Sequence, residues 1–299
     1  MTEKTVNETA MNQKAVNQKR VRLRAHAKLN LGLAVLGRRD DGFHEIDTLF
    51  ARLALADELW LARAKGVSGV LEPGAGTAAL HGLRMDSDNL VLRAAEAYLQ
   101  AAGGPGGVRV RLRKHVPVAA GLGGGSSDAA AVLRGLARLY PSSVELSPLA
   151  GALGSDVPFF LATQCAARAG GRGELLEPLE LPRLPVVLAN AGIVVSAAQA
   201  YRLITAFDPP LAPSDIVERL SSGRDPGYRN TLQEGVMAAY PAVADTLTEL
   251  RALGLHGVLM SGSGPTCFGL AADTARASAA ARELAERRPS WWVWSGEVC

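Results

Sequence analysis

Apolar and polar residues alternate strictly from Val21 onward. Val21, Leu23, Ala25, Ala27, Leu29, Leu31 and Leu33 interleave with Arg22, Arg24, His26, Lys28 and Asn30, which predicts a strand with one buried face. Asp41-Gly42 is a strong turn signal, and Phe43 to Leu61 resumes strand-like text. The pattern then lengthens to a helical period over 88–102. Asp88 stands at the N-cap, Leu90, Leu92 and Ala94 to Ala97 supply an apolar face, and Gly103-Gly104 stop the helix. Val108 to Val118 alternates again, with Arg109, Arg111 and Arg113 set against Val110 and Leu112. A second helix is expected from near Ser126 to Pro141, carried by Val132, Leu133, Leu136 and Leu139. Ser147-Pro148 reads as an N-cap followed by a first-turn proline, the opening of a short helix.

Beyond Leu161 the text predicts strands at 174–181, 185–191, 257–261 and 266–271. Helices near 197–206, 214–221, 231–239, 242–253 and 274–287 alternate with them, and 221–229 is a loop. Both halves are α+β, without the regular rhythm of a βαβ fold. A boundary is expected near 160–180, giving an N-terminal domain over 21–165 and a C-terminal domain over 166–299. Residues 1–20 are rich in Asn, Gln and Lys and can build no core, so they are expected to form a disordered polar tail.

Composition narrows the function classes. At 299 residues and 48% hydrophobic, the chain can bury a full core. With 32 Lys and Arg against 29 Asp and Glu, the net charge of +3 is too even to suggest a nucleic-acid coat or a membrane-surface domain. No apolar run approaches the roughly 20 residues of a bilayer span, and the N-terminus lacks the apolar core of a signal peptide. Cys165, Cys267 and Cys299 are too few and too far apart for a disulfide framework or a zinc ribbon, and the five His show no ligand spacing. No protein metal site is expected. The chain reads as a cytoplasmic, metabolic protein acting on a small molecule, as a monomer or weak homodimer.

The sharpest local signal is Pro117-Val118-Ala119-Ala120-Gly121-Leu122-Gly123-Gly124-Gly125-Ser126-Ser127, between a predicted strand and a predicted helix. Glycines let the backbone turn tightly and aim several N–H groups at one point, and the helix start adds free N–H donors and a positive dipole end. Such a loop suits a phosphate, with Ser126 and Ser127 able to donate hydroxyls. It is not a Walker A loop, because no Lys follows the glycines, and Ser126 breaks the dinucleotide fingerprint. A second loop, Ser261-Gly262-Ser263-Gly264-Pro265-Thr266, reads equally well as a tight hairpin or as a second wall of the phosphate site.

Three motifs together resemble the galactokinase, homoserine kinase, mevalonate kinase and phosphomevalonate kinase (GHMP) superfamily. They are Ala25-His-Ala-Lys28-Leu-Asn30-Leu-Gly32-Leu, the loop Gly121–Asp128, and Met260-Ser-Gly-Ser-Gly-Pro-Thr266. Arg38-Arg-Asp-Asp-Gly-Phe43-His44 and Leu153-Gly-Ser-Asp156-Val-Pro-Phe159 resemble the branch whose substrate is a cytidine-diphosphate-linked methylerythritol. Asp88-Asn-Leu-Val-Leu-Arg-Ala-Ala95 and Gly171-Arg-Gly-Glu174 add to the match, which runs from about Val21 to Phe268.

The resemblance implies a two-domain fold, a ribosomal-protein-S5-like N-terminal domain beside a ferredoxin-like C-terminal one, with the active site between them. It implies ATP, accompanied by Mg²⁺, in the glycine-rich loop and transfer of its γ-phosphate to the 2-hydroxyl of the cytidyl substrate, a step toward isoprenoids. Asp156 would be the base, in competition with a plain N-cap role, and Lys28 would neutralise it and stabilise charge on the transferred phosphoryl group. Asn30, on the same strand face as Lys28, would bond substrate. Phe43 would stack on the base and His44 would contact its edge. Tyr201 would close over the base or else pack in the core, and Asn89 would face adenine or merely cap its helix. Homoserine and mevalonate carry no base to stack, so Phe43-His44 argues against those kinases. The presence of both Lys28 and Asp156 argues against a non-catalytic nucleotide-binding regulator. The chain departs from the family at Phe43, where Tyr is common, and at Asn230-Thr-Leu-Gln233, where two carboxylates are replaced. Trp291-Trp-Val-Trp294 lies outside the resemblance and is expected to be a final core strand.

Overall fold

A computed structural model describes residues 20–74 and 83–298. The expected tail lies outside the described residues, apart from Arg20, which opens the first strand.

Two long strands organise the fold. β1 (Arg20–Arg38) pairs antiparallel with β2 (His44–Ala64) through the Asp41-Gly42 turn, where Gly42 adopts φ +84°. At about 3.3 Å per residue their length exceeds any one layer of core. β1 carries Leu23 and Ala25 into a first hydrophobic cluster, Ala27, Leu29 and Leu31 into a second, and Leu33 and Val35 into a third. The expected one-sided burial therefore holds only to His26. From Ala27 to Ala34 every residue is buried, Lys28 and Asn30 included, because the strand passes between the two halves of the molecule.

The free edge of β2 is divided among three partners. Thr48–Ala51 pair with β5 (Ala166–Gly170), Leu53 with the end of β10 (Trp292–Val298), and Glu58–Ala64 with β4 (Gly107–Lys114). β3 (Ser68–Pro73) adds to β4 in parallel, and β6 (Leu175–Leu179) pairs with β5. The first sheet thus continues to Leu179, beyond the expected division at 165/166. β10 then pairs with β7 (Leu184–Asn190), which pairs with β9 (Cys267–Leu270) and it with β8 (His256–Met260). The tryptophan-rich segment is a strand inside the second sheet, as its composition suggested.

Helices α1 (Leu90–Ala101), α2 (Gly124–Leu139), α3 (Leu146–Leu153) and α4 (Val157–Leu161) contribute to the first cluster. α5 (Ala197–Arg202), α7 (Gln233–Ala239), α8 (Pro241–Ala252) and α9 (Thr274–Arg287) pack in the third, and α6 (Pro213–Ser221) in the second. Two expected caps move. Asn89, not Asp88, caps α1, its side-chain oxygen accepting from Val91 N–H at 3.0 Å. Glu145 occupies the N-cap of α3, so Ser147-Pro148 lies within its first turn.

Candidate active site

A cleft of about 880 Å³ opens where β1 passes between the two sheets. Lys28 and Asn30 project into it from β1, Phe43 and His44 from the entry to β2, Asp156 from the turn before α4, and Tyr201 from α5. The structure thus brings together residues spread over more than half the sequence.

The Lys28 ammonium is 3.5 Å from the Asp156 carboxylate. Lys28 is buried, whereas the Asp156 side chain keeps 30% of its surface open to the cleft. Asp156 sits at the N-cap position of α4 but makes no capping bond, which removes the plain capping role. Its carboxylate is directed to Lys28 and the cleft rather than to the helix. Lys28 is fixed further by donating to Asn30 Oδ1 at 2.5 Å and by the Phe50 ring, 5.0 Å below its nitrogen. Asn30 donates in turn to Thr48 Oγ1 at 2.7 Å, and Thr48 donates to the Gly32 carbonyl at 2.6 Å. With its oxygen on Lys28 and its amide on Thr48, Asn30 orients the lysine within the cleft.

At the other end, His44 and Tyr201 stack with ring centroids 4.9 Å apart and planes 24° from parallel. Tyr201 therefore belongs to the cleft rather than only to the core. Burial, reinforced by nearby Asp156, raises the phenol pKa, so its hydroxyl keeps its proton. Burial and the charge of Arg38 lower the pKa of His44, which stands as a neutral imidazole near pH 7. Phe43 is 53% exposed and lies under the Arg172 guanidinium at 4.8 Å. Arg38, Arg172 and Arg202 also line this cleft, three cations that sequence reasoning did not single out. Arg38 and Arg172 fall within segments that resemble the family but carried no role there, and Arg202 lies outside them.

A second cavity of about 340 Å³ lies over the start of α2. Every residue from Pro117 to Ser126 lines it, with Asn89 on the facing wall. Ser127, by contrast, is buried and lines neither cavity; its N–H donates to the Gly123 carbonyl. Asn89 is committed to its helix, accepting from Val91 and donating to the Arg84 carbonyl at 2.7 Å. Beneath the loop lies a buried charge cluster missed from the sequence. Lys114 donates to Asp128 at 2.8 Å and also to Asp57, whose other oxygen accepts the His115 and Val116 N–H groups at 2.5 and 2.8 Å. Burial opposes the Lys114 charge, yet the two carboxylates outweigh it and raise its pKa. Burial pushes the Asp128 carboxyl up, with Lys114 offsetting it only in part. Asp128 Oδ1 has no partner among the described residues and Asp128 borders the cavity.

The two cavities meet at Gly121 and Gly123, which line both. The Ser261–Thr266 segment is the tight hairpin its sequence allowed, and none of it lines the cavity over the start of α2. It connects β8 to β9, and Gly262 and Ser263 wall the larger cleft. Ser261 accepts from Asn30 N–H at 3.2 Å and donates to the Gly121 carbonyl at 3.1 Å. A Cβ on Gly121 would lie 2.2 Å from the Ser261 carbonyl, and φ is +74° there, so glycine alone permits this approach. Asn230 donates to the Met260 and Gly262 carbonyls, both at 2.8 Å, and Met260 N–H donates to Gln233. The amides at 230 and 233 thus clamp the loop.

Residues 89–164 match the family described as GHMP kinases N terminal domain, and residues 216–289 match GHMP kinases C terminal. A 4-diphosphocytidyl-2-C-methyl-D-erythritol kinase of Deinococcus radiodurans is 49% identical over 92% of each chain. The chain belongs to the 4-diphosphocytidyl-2-C-methyl-D-erythritol kinases. A relative of the same description from Thermus thermophilus is 46% identical over 92% of this chain and 95% of its own. A crystal structure of 4-(cytidine 5'-diphospho)-2C-methyl-D-erythritol kinase superposes with a TM-score of 0.81 at 44% identity, covering 93% of this chain and 98% of that one. Homoserine kinase from Cytophaga hutchinsonii shares the fold at a TM-score of 0.66 and 16% identity, with 95% of both chains covered. The protein is therefore a small-molecule kinase with a GHMP fold, and GHMP kinases are ATP-dependent phosphotransferases. Among the described residues no helix is long and apolar enough to cross a membrane.

Proposed function

We propose that this kinase transfers the γ-phosphate of ATP to the 2-hydroxyl of 4-diphosphocytidyl-2-C-methyl-D-erythritol in the cytoplasm, on the route to isoprenoid precursors. The observation that carries this reading is the junction of two cavities at Gly121 and Gly123 beside the Lys28–Asp156 pair. Nucleotide in the smaller cavity presents its terminal phosphate at that junction, and an alcohol in the larger cleft meets it there.

The triphosphate lies against the N-terminus of α2, where free N–H groups and the helix dipole favour negative charge. The cytosine packs against the His44–Tyr201 pair and Phe43, and the diphosphate of the substrate faces Arg38, Arg172 and Arg202. The alcohol oxygen then points to Asp156. As that oxygen bonds to the γ-phosphorus, Asp156 takes its proton and the bond to the β-phosphate oxygen breaks, releasing ADP. Lys28 offsets the charge that gathers on the transferred group. Ser126 and the unpartnered Asp128 Oδ1 are the protein oxygens best placed to hold Mg²⁺. Held there, the ion would supply charge neutralisation to the transferring phosphates. Incubation of the protein with ATP and each candidate alcohol, followed by ADP release, tests the reading. Turnover of mevalonate or homoserine without turnover of the cytidyl substrate overturns it.

A further inference from the structure

β1 gains one residue on β2 beside the cleft. Asn30 lies opposite Phe50 and Leu33 opposite Thr48, so three steps along β1 match two along β2. The extra residue makes a β-bulge at Leu31-Gly32, where Gly32 takes φ +144°, a conformation that side chains rarely adopt. Across the bulge the Thr48 hydroxyl donates to the Gly32 carbonyl at 2.6 Å. Thr48 has nowhere to retreat. Its backbone pairs with Leu33 on one side and with Ala169 of β5 on the other, and the residue is wholly buried.

Donor counting then sets the direction of every bond from Thr48 to Lys28. A threonine hydroxyl carries one proton, and here Gly32 receives it, so toward Asn30 the Thr48 oxygen can only accept. The Asn30 amide nitrogen supplies that bond at 2.7 Å, which turns the Asn30 oxygen the other way, onto Lys28 Nζ at 2.5 Å. A reversed amide would set oxygen against oxygen at Thr48 and N–H against ammonium at Lys28. Thr48 thus decides which way Asn30 faces, and Asn30 holds the ammonium 3.5 Å from Asp156.

We infer that Thr48 is a positioning residue for phosphoryl transfer, acting through Asn30 on Lys28, a role that rests on the function proposed for Lys28. Thr48 itself lines neither cavity. Its hydroxyl is what the chain of bonds requires, and its methyl is not. Valine fills the same space but leaves the Asn30 amide and the Gly32 carbonyl without their partner. Asn30 is then free to turn over, and Lys28 loses its fixed place.

Steady-state kinetics of Thr48→Val and Thr48→Ser, each with a thermal melt, test the inference. Thr48→Val is expected to lower kcat by about 10- to 100-fold, the cost of a misplaced group at a reacting centre, while KM for both substrates stays near the parent value. Thr48→Ser loses the buried methyl and melts earlier, yet keeps most of the parent kcat, which a purely structural role would not allow. In an Asn30→Ala background the bonds are already cut, so Thr48→Val costs kcat nothing further. Should Thr48→Val fail to fold, Thr48→Cys takes its place, since a buried thiol is tolerated but accepts poorly, and the same loss of kcat against Thr48→Ser is expected. Parent kcat in Thr48→Val, a Thr48→Ser enzyme as slow as Thr48→Val, or an undiminished loss in the Asn30→Ala background overturns the inference. If the parent turns over another alcohol and not the cytidyl substrate, the substrate reading falls, and the same comparison on that alcohol still decides the role of Thr48.

Discussion

The Ser261 hydroxyl donates to the Gly121 carbonyl at 3.1 Å while accepting the Asn30 N–H at 3.2 Å, so one buried side chain joins three segments of the site. Removing it leaves a buried donor and a buried acceptor without partners, at a cost of about 1–3 kcal/mol for each group left unsatisfied. Ser261→Ala is expected to lower kcat and to raise the KM for ATP, since donor loop and acceptor strand lose their shared link. Ser261→Thr keeps the hydroxyl and restores most of the rate. Steady-state kinetics with a thermal melt of each variant check this, and equal rates in the Ala and Thr variants contradict it.

Asp156 and Lys28 make a separable pair. Asp156→Asn retains shape but cannot accept the alcohol proton, so kcat falls by about 10²–10⁴-fold, the usual worth of a positioned general base. ATP affinity stays near that of the parent, because Asp156 lines the substrate cleft and not the nucleotide cavity. Single-turnover rates and a nucleotide titration separate the two effects.

The His44 pKa is lowered because burial penalises its charged form, so protonation is pushed below the ordinary imidazole value of about 6.5. Neutral His44 is the species present from there upward. As pH falls through that lowered pKa, the imidazole gains a proton, and stacking on Tyr201 and base-edge contacts change together. The substrate KM is expected to rise over that window while the KM for ATP does not. A pH profile of both constants, repeated with His44→Gln, checks the assignment; the variant flattens the substrate profile.

Tyr201→Ala and Phe43→Ala should act mainly on substrate KM. A lost base–aromatic stack is worth about 1–3 kcal/mol, or about 5- to 150-fold. The larger effect is expected at Tyr201, which stacks directly on His44, whereas Phe43 is exposed and braced by Arg172. Comparison of KM with kcat for the two variants decides the order.

Lys114 with Asp57 and Asp128 holds the floor of the nucleotide cavity. Breaking a buried ion pair from one side costs about 3–5 kcal/mol, since the remaining charge is left without compensation. Lys114→Met strands two carboxylates and is expected to destabilise the fold by that amount. Denaturant unfolding of the variant against the parent measures it.

The long strands, the turn at Asp41-Gly42 and the glycine-rich loop were legible because local chemistry alone dictates them. Alternation, a turn dipeptide and residues able to adopt positive φ need no distant partner. β5 was not legible: Ala166-Ala-Arg-Ala-Gly170 has no β-branched residue, and it is a strand because β2 leaves Thr48–Ala51 open to it. β3 likewise exists through its parallel pairing with β4. Lys28 and Asp156 could be matched by resemblance, but their direction could not, since an aspartate before a proline reads the same whether it caps or catalyses. Lys114 appeared as one more polar residue at the end of an alternating run. Its partners lie 57 and 14 positions away, and only folding reveals that the lysine is interior.

Because β1 and β2 supply side chains to all three hydrophobic clusters, neither lobe owns a complete interior. A fragment ending near residue 165 would carry the nucleotide loop yet leave Leu33, Val35 and Ile46 in contact with water, having lost the helices that cover them. The two lobes are therefore obliged to melt as one cooperative unit. Any opening of the cleft must come from flexing of the pieces around this shared pair of strands, as pages move about a spine, rather than from a hinge in a connecting loop.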